Sequence, residues 1–214
     1  MVKIAPSTDP AKNFDDLLSY INEIRFAAHF LHVDVMNSNF VQKTNFDENF
    51  VAKINANTAM MLDVHLMVNE PDVLKYIEAG ANIVTVHYEA FENKNKLKNA
   101  LKLIREHKAL AGLSIRPNTS VEEIASFLDY VDLVLVMSVV PGSSGQKFME
   151  ETYNKVSLLK DYIGKRPIQI EVDGGIVPEI AKNLKKCGAD ILVSGSYVYS
   201  SKDRVLAIKE LMQN

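Results

Sequence analysis

Two imidazoles and two carboxylates in this chain have the residue types and the spacing to do chemistry. His32 and Asp34 alternate in Leu31-His32-Val33-Asp34-Val35-Met36, His65 sits in Asp63-Val64-His65-Leu66-Met67, and Asp173 closes Ile168-Gln169-Ile170-Glu171-Val172-Asp173. Imidazole nitrogens and carboxylate oxygens together suit one divalent zinc, iron(II), manganese or cobalt ion better than calcium. A pair of carboxylates can also remove and return protons. Taken singly, each residue has an ordinary reading, because a lone histidine on a strand is more often a satisfied core residue than a ligand. Four at the same end of neighbouring strands resist that reading, because buried charges are costly unless paired or bound to a cation.

The elements that must position these groups are legible in the hydrophobic pattern. A strand turns successive side chains to opposite faces, so His32, Asp34 and Met36 share one face and Leu31, Val33 and Val35 the other. Strands are predicted at 2–5, 29–36, 61–68, 82–87, 110–115, 131–138, 167–173 and 190–195. Between them, apolar residues three or four apart predict helices at 12–25, 47–56, 71–79, 94–107, 120–128, 148–163, 178–187 and 202–212. Ser120-Val121-Glu122-Glu123 is a capping-box start, and Gly80, Gly164 and Gly188 are stop signals. Eight strand–helix units over 1–214 predict an α/β fold, a single (β/α)8 TIM barrel of near-minimal size. A doubly wound sheet also alternates. Closure is favoured by the polar residues at strand ends, Ser7, Asp34, His65, His87, Asp173 and Ser196, which a barrel would gather on one rim.

Small-residue loops form a second constellation. Gly142, Ser143, Ser144 and Gly145 follow the sixth strand, Gly174 and Gly175 the seventh, and Gly195 and Ser196 the eighth. Any one reads as an ordinary turn. Together they predict a phosphate cradle, since glycine permits close backbone approach and successive N–H groups bind anions. Met36, Met67 and Met137 close three strands and are expected to line the site with a polarizable surface that exchanges no protons; Met60, Met61, Met149 and Met212 are read as core. His87 is left as either a site-lining or a structural residue, while His29 reads as structural and His107 as solvent-facing.

The formal net charge is −3, and Lys and Arg are dispersed along the chain, so no electrostatic footprint for nucleic acid or anionic lipid is expected. The single Cys187 excludes a disulfide within the chain, reads as a small buried hydrophobe, and favours an intracellular, cytoplasmic setting. No apolar run has the length of a membrane span, and Met1 to Pro6 lacks the apolar core of a signal peptide.

These residues resemble the ribulose-phosphate 3-epimerase family of the ribulose-phosphate-binding barrels. The matching pieces run in order along nearly the whole chain: Ile4-Ala5-Pro6-Ser7, His32-Val33-Asp34-Val35-Met36, Asp63-Val64-His65-Leu66-Met67-Val68, Val136-Met137-Ser138-Val139, Pro141-Gly142, Gly145-Gln146-Lys147-Phe148, Glu171-Val172-Asp173-Gly174-Gly175-Ile176 and Gly195-Ser196. The resemblance implies that His32, Asp34, His65 and Asp173 hold the metal, that Asp34 and Asp173 exchange protons, that Ser7 and His65 touch the substrate, and that the glycine-rich loops hold its phosphate. It implies a cytoplasmic isomerase of the pentose phosphate pathway, interconverting D-ribulose 5-phosphate and D-xylulose 5-phosphate through an enediolate. It also implies a small sugar phosphate as partner and a homo-oligomeric assembly. The chain departs from the family pattern at Asn37-Ser38-Asn39, Gln42-Lys43, Arg116, Val140 and Ser143-Ser144. Those changes touch covering loops, so a hexulose phosphate such as allulose 6-phosphate is the alternative substrate, and a non-catalytic phosphosugar-binding barrel the alternative of another class. Retention of both Asp34 and Asp173 argues against the latter.

Overall fold

Eight short strands alternate with helices in the computed structural model, which describes residues 2–143 and 145–213. The strands are β1 (Lys3–Pro6), β2 (Leu31–Met36), β3 (Leu62–Met67), β4 (Ile83–His87), β5 (Leu110–Ile115), β6 (Leu133–Met137), β7 (Gln169–Asp173) and β8 (Ile191–Ser194). Each lies within two residues of its predicted ends. All pair in parallel in the order β1-β8-β7-β6-β5-β4-β3-β2. A parallel bridge between Ser7 and His32 joins the two end strands, with the Thr8 N–H donating to the His32 carbonyl at 2.9 Å. The sheet is therefore a barrel, and the chain is a (β/α)8 TIM barrel.

The helices are α1 (Phe14–Ile24), α2 (Glu48–Asn55), α3 (Val73–Glu78), α4 (Lys94–Glu106), α5 (Val121–Ile124), α6 (Glu151–Ile163), α7 (Pro178–Cys187), α8 (Ser196–Ser200) and α9 (Arg204–Gln213). Their starts follow local chemistry. Asn13 accepts from the Asp16 N–H at 2.9 Å to cap α1, and Asp47 accepts from the Phe50 N–H at 3.0 Å to cap α2; such caps contribute about 1 kcal/mol each. Pro178 opens α7, and Gly188 ends it in the left-handed region at φ 104°. Two expectations differ. The predicted 120–128 helix is a four-residue α5 continued by a 3-10 segment, Ala125–Tyr130, and α8 is too short for its periodicity to show in the sequence. No helix among the described residues is long and apolar enough to cross a membrane.

Strand alternation divides the interior. Outward-facing residues such as Val33, Val64, Val136 and Val172 pack against Leu17, Ile21, Leu97 and Leu159 of the helices in one continuous core. Each fully buried side chain of this kind contributes roughly 1.5–3 kcal/mol. Inside the barrel, Ala5, Ile83, Leu133, Leu135, Ile191 and Val193 form a smaller apolar cluster. It leaves the C-terminal ends of β2, β3, β4 and β7 to polar residues. Met61, expected in the core, is 45% exposed because it precedes β3 instead of lying in it. Cys187 is half-buried, since it is the last residue of α7 and packs only in part against the core.

Candidate active site

Register and alternation bring the four sequence-predicted ligands together. Asp34 pairs with His65 across β2 and β3, and Met137 pairs with Asp173 across β6 and β7. One ligand atom from each of His32, Asp34, His65 and Asp173 lies within 4.8 Å of the others. His32 Nδ1 meets Asp63 Oδ2 at 2.6 Å, which leaves its Nε2 buried without a hydrogen-bond partner and 3.3 Å from Asp34 Oδ1. Asp34 Oδ1 is also 3.1 Å from His65 Nδ1, while Asp34 Oδ2 accepts from the Ser7 hydroxyl at 2.8 Å. A divalent cation fits this donor set: it would satisfy the stranded nitrogen of His32 and offset the clustered carboxylates.

The two carboxyl groups are electrostatically unlike. Burial works against ionising Asp34, but the adjoining His32 and His65 outweigh it and hold its carboxyl well below the usual range. Burial, reinforced by the charge of Asp34, pushes Asp173 up to about 7. Burial alone would discharge His32; Asp63 and Asp34 override it and raise the ring well above the ordinary imidazole value. Burial lowers His65. Beneath the cluster, both oxygens of Glu171 are buried without a hydrogen-bond partner, Oε1 lying 4.0 Å from His32 Nδ1. Burial first, and Asp63 second, push Glu171 well above the carboxylate range.

Above the cluster a cleft encloses about 550 Å³, part of it open to solvent. Ser7, Asp34, Met36, Met67, Met137 and Asp173 line it, and so do Gly142, Ser143, Gly145, Gly174, Gly175, Gly195 and Ser196. The three small-residue loops thus border one space. Ser144 lies outside the described residues. His65 is fully buried and does not border the cleft. Met36 and Met67 pack with Val41 and the partly buried Phe40 as an apolar wall. Gly174 and Gly175 have φ of 118° and 63°, and a Cβ would come 2.6 Å from Val139 Cγ2 at the first and 2.8 Å from the Phe148 nitrogen at the second. Only glycine is free of strain there. Gly195 differs: its φ is −89°, and a Cβ would meet nothing closer than Pro10 Cγ at 3.4 Å.

Sequence reasoning missed several members of this site. Asp63 and Glu171 each stand two residues before a predicted ligand, so the period-2 rule already placed them on the inward face. Asp9, whose carboxylate pairs with Lys43 at 2.7 Å, and Gln146 also line the cleft. Asn45 ties the loop after β2 down, accepting from the Met36 N–H at 2.7 Å and donating to the Asp34 carbonyl at 2.9 Å. His87 is not in the cleft wall: it is fully buried behind His65.

A (β/α)8 barrel with a His-Asp cluster and small-residue loops around one C-terminal cleft defines the class of protein. Comparison with known proteins narrows it. Residues 3–199 match the sequence model of the ribulose-phosphate 3 epimerase family. The chain is 39% identical to ribulose-phosphate 3-epimerase of Bacillus subtilis, over 99% of this chain and 98% of that protein. It is 39% identical to that of Chlamydia muridarum (85% and 83% covered), and 38% identical to the chloroplastic ribulose-5-phosphate-3-epimerase of Arabidopsis thaliana (96% and 74% covered). The chain belongs to the ribulose-phosphate 3-epimerase family. Among solved structures, 3-keto-L-gulonate-6-phosphate decarboxylase from Vibrio cholerae superposes with a TM-score of 0.75 at 14% identity, covering 99% of this chain and 96% of that one. The 3-hexulose-6-phosphate synthase of Salmonella typhimurium gives 0.72 at 14% identity, covering 99% and 97%. At such identities the likeness is one of fold.

Proposed function

We propose that this chain is an isomerase that interconverts D-ribulose 5-phosphate and D-xylulose 5-phosphate, with Asp34 and Asp173 as the proton-transferring pair. The observation that carries the reading is the placing of the buried Asp34 and the half-buried Asp173 in one cleft, beside a histidine nitrogen left without a partner. Inverting C3 of a ketose requires a proton to leave one face and another to arrive on the opposite face. An ionised Asp34 can act as base while a protonated Asp173 acts as acid, and the roles exchange for the reverse reaction.

His32, Asp34, His65 and Asp173 would hold a divalent cation, which supplies electrophilic stabilisation of the negative charge developing on the substrate oxygens. The Ser7 hydroxyl, donating to Asp34 Oδ2, fixes the orientation of that carboxylate. Met36, Met67 and Met137 exclude water without offering a competing proton. The loops at Gly142–Gly145, Gly174-Gly175 and Gly195-Ser196 would bind the phosphate, so that a remote anion orients the reacting carbon. An intracellular, cytoplasmic setting and a homo-oligomeric assembly accompany this reading.

Turnover of ribulose 5-phosphate against allulose 6-phosphate, before and after chelation, tests it. The pentulose phosphate should be epimerised at C3 far faster, and chelation should abolish the activity until a divalent ion is restored. Preferential turnover of the hexulose phosphate would reassign the substrate, and no turnover of either by metal-loaded protein would reject the enzyme.

A further inference from the structure

The two histidines of the cluster are held from behind by different partners. His32 directs Nδ1 at Asp63 and turns Nε2 towards the cluster. His65 is the reverse: Nδ1 faces Asp34, and Nε2 lies 2.8 Å from Nε2 of His87. Two neutral ring nitrogens at that distance hold one proton between them, and it belongs to whichever ring is not protonated on its far side.

The far side is decided by Glu89. His87 Nδ1 is 3.0 Å from Glu89 Oε2, while Glu89 Oε1 accepts from the Arg116 N–H at 2.8 Å and from the Thr119 hydroxyl. A carboxylate already receiving two donors presents its other oxygen as an acceptor too, so the proton of His87 sits on Nδ1. Its Nε2 is then a bare lone pair. His65 must donate through Nε2, which leaves His65 Nδ1 as the lone pair facing the cluster. Both rings are fully buried, so bulk water offers no alternative partner.

We propose that His87 and Glu89 are positioning residues that fix His65 in the Nε2–H tautomer and thereby make Nδ1 its ligating atom. His32 ligates through the opposite nitrogen, Nε2. The proposal rests on the reading that this cluster binds a divalent cation, and it adds which atoms bind and what holds them. Glu89 also joins the cluster to the β5–α5 loop, whose Arg116 guanidinium lies 4.2 Å from the Phe40 ring centroid and donates to the Phe40 carbonyl at 3.1 Å. Backing partners of metal-bound histidines are typically worth 10–100-fold in affinity.

The test uses ¹⁵N-histidine-labelled, ¹¹³Cd-loaded full chain. Cadmium–nitrogen coupling is expected at Nδ1 of His65 and Nε2 of His32. His87→Leu should weaken cadmium binding about 10–100-fold, whereas His87→Gln, whose amide oxygen can accept from His65, should stay within a few-fold of wild type. The thermal unfolding midpoint and near-ultraviolet circular dichroism establish that each variant is folded. Should His87→Leu not fold, Glu89→Gln carries the same test, because an amide leaves the His87 proton free to move. Coupling at Nε2 of His65, or equal affinity in folded Leu and Gln variants, would overturn the proposal. Failure of wild type to bind cadmium at all would instead overturn the cation reading beneath it.

Discussion

The two halves of the cleft are built on opposite principles. On the β2, β3 and β7 side, the proposed chemistry falls to side chains on strands, buried except for the half-buried Asp173 and backed by Asp63, Glu171 and His87. On the side of the loops after β6, β7 and β8, the proposed phosphate cradle would be backbone: glycines with left-handed φ at 142, 145, 174 and 175. The first half depends on which residue stands at each position and tolerates no exchange of chemistry. The second depends on conformation and close approach, so several sequences could serve.

The largest effect should come from the strand side. Asp173→Asn keeps the shape of the side chain but cannot accept a proton, so kcat should fall about 10²–10⁴-fold in steady-state assays of ribulose 5-phosphate. Metal content of the variant must be measured alongside, to separate lost proton transfer from lost cation. His65→Ala should come next: with one donor gone, elemental analysis should find the cation lost after dialysis while circular dichroism stays that of the folded barrel. Metal retained at full stoichiometry would remove His65 from the ligand set.

The loop side should answer differently. A Cβ at Gly195 would meet nothing closer than 3.4 Å, so the effect of Gly195→Val should fall on the phosphate: KM up by about 10–100-fold, kcat and metal content little changed. Equal losses in kcat and metal would erase the distinction between the halves. The smallest effect is one of pH. Burial and the Asp34 charge raise Asp173 to about 7 in the metal-free protein. A carboxyl raised above its unfolded value favours the fold while protonated, so its contribution is present below about pH 4 and is lost as pH rises towards 7. A cation must displace that proton and also the one that Asp63 and Asp34 hold on His32, so binding should tighten by up to about a hundredfold per pH unit below 7 and go on tightening, by at most about tenfold per unit, above it, as calorimetric titration of the metal-free protein would record.

The same contrast explains what the sequence made legible. All eight strands could be placed because short apolar runs alternate with longer stretches of helical period, and the His32-Val33-Asp34 and Asp63-Val64-His65 runs break the apolar pattern on one face only. The cluster of candidate ligands followed from that break together with barrel closure. The groups behind the ligands were harder to recognise. Asp63 and Glu171 carry the right period, but their burial is visible only when β2, β3 and β7 are set side by side. Glu89 lies beyond the end of β4 in a 3-10 turn, Tyr88–Ala90, where no periodicity applies. The contact of Arg116 with Phe40 joins residues 76 apart in sequence and follows from loop conformation alone.

The most direct test of the account is turnover of ribulose 5-phosphate in deuterated water, with the product analysed by NMR. Proton delivery by two carboxylates from opposite faces predicts solvent deuterium at C3 of the xylulose 5-phosphate formed, with no label at the other carbon-bound positions, and loss of product in Asp173→Asn. Product formed at the wild-type rate by Asp173→Asn, or xylulose 5-phosphate that retains its original C3 hydrogen, would contradict it.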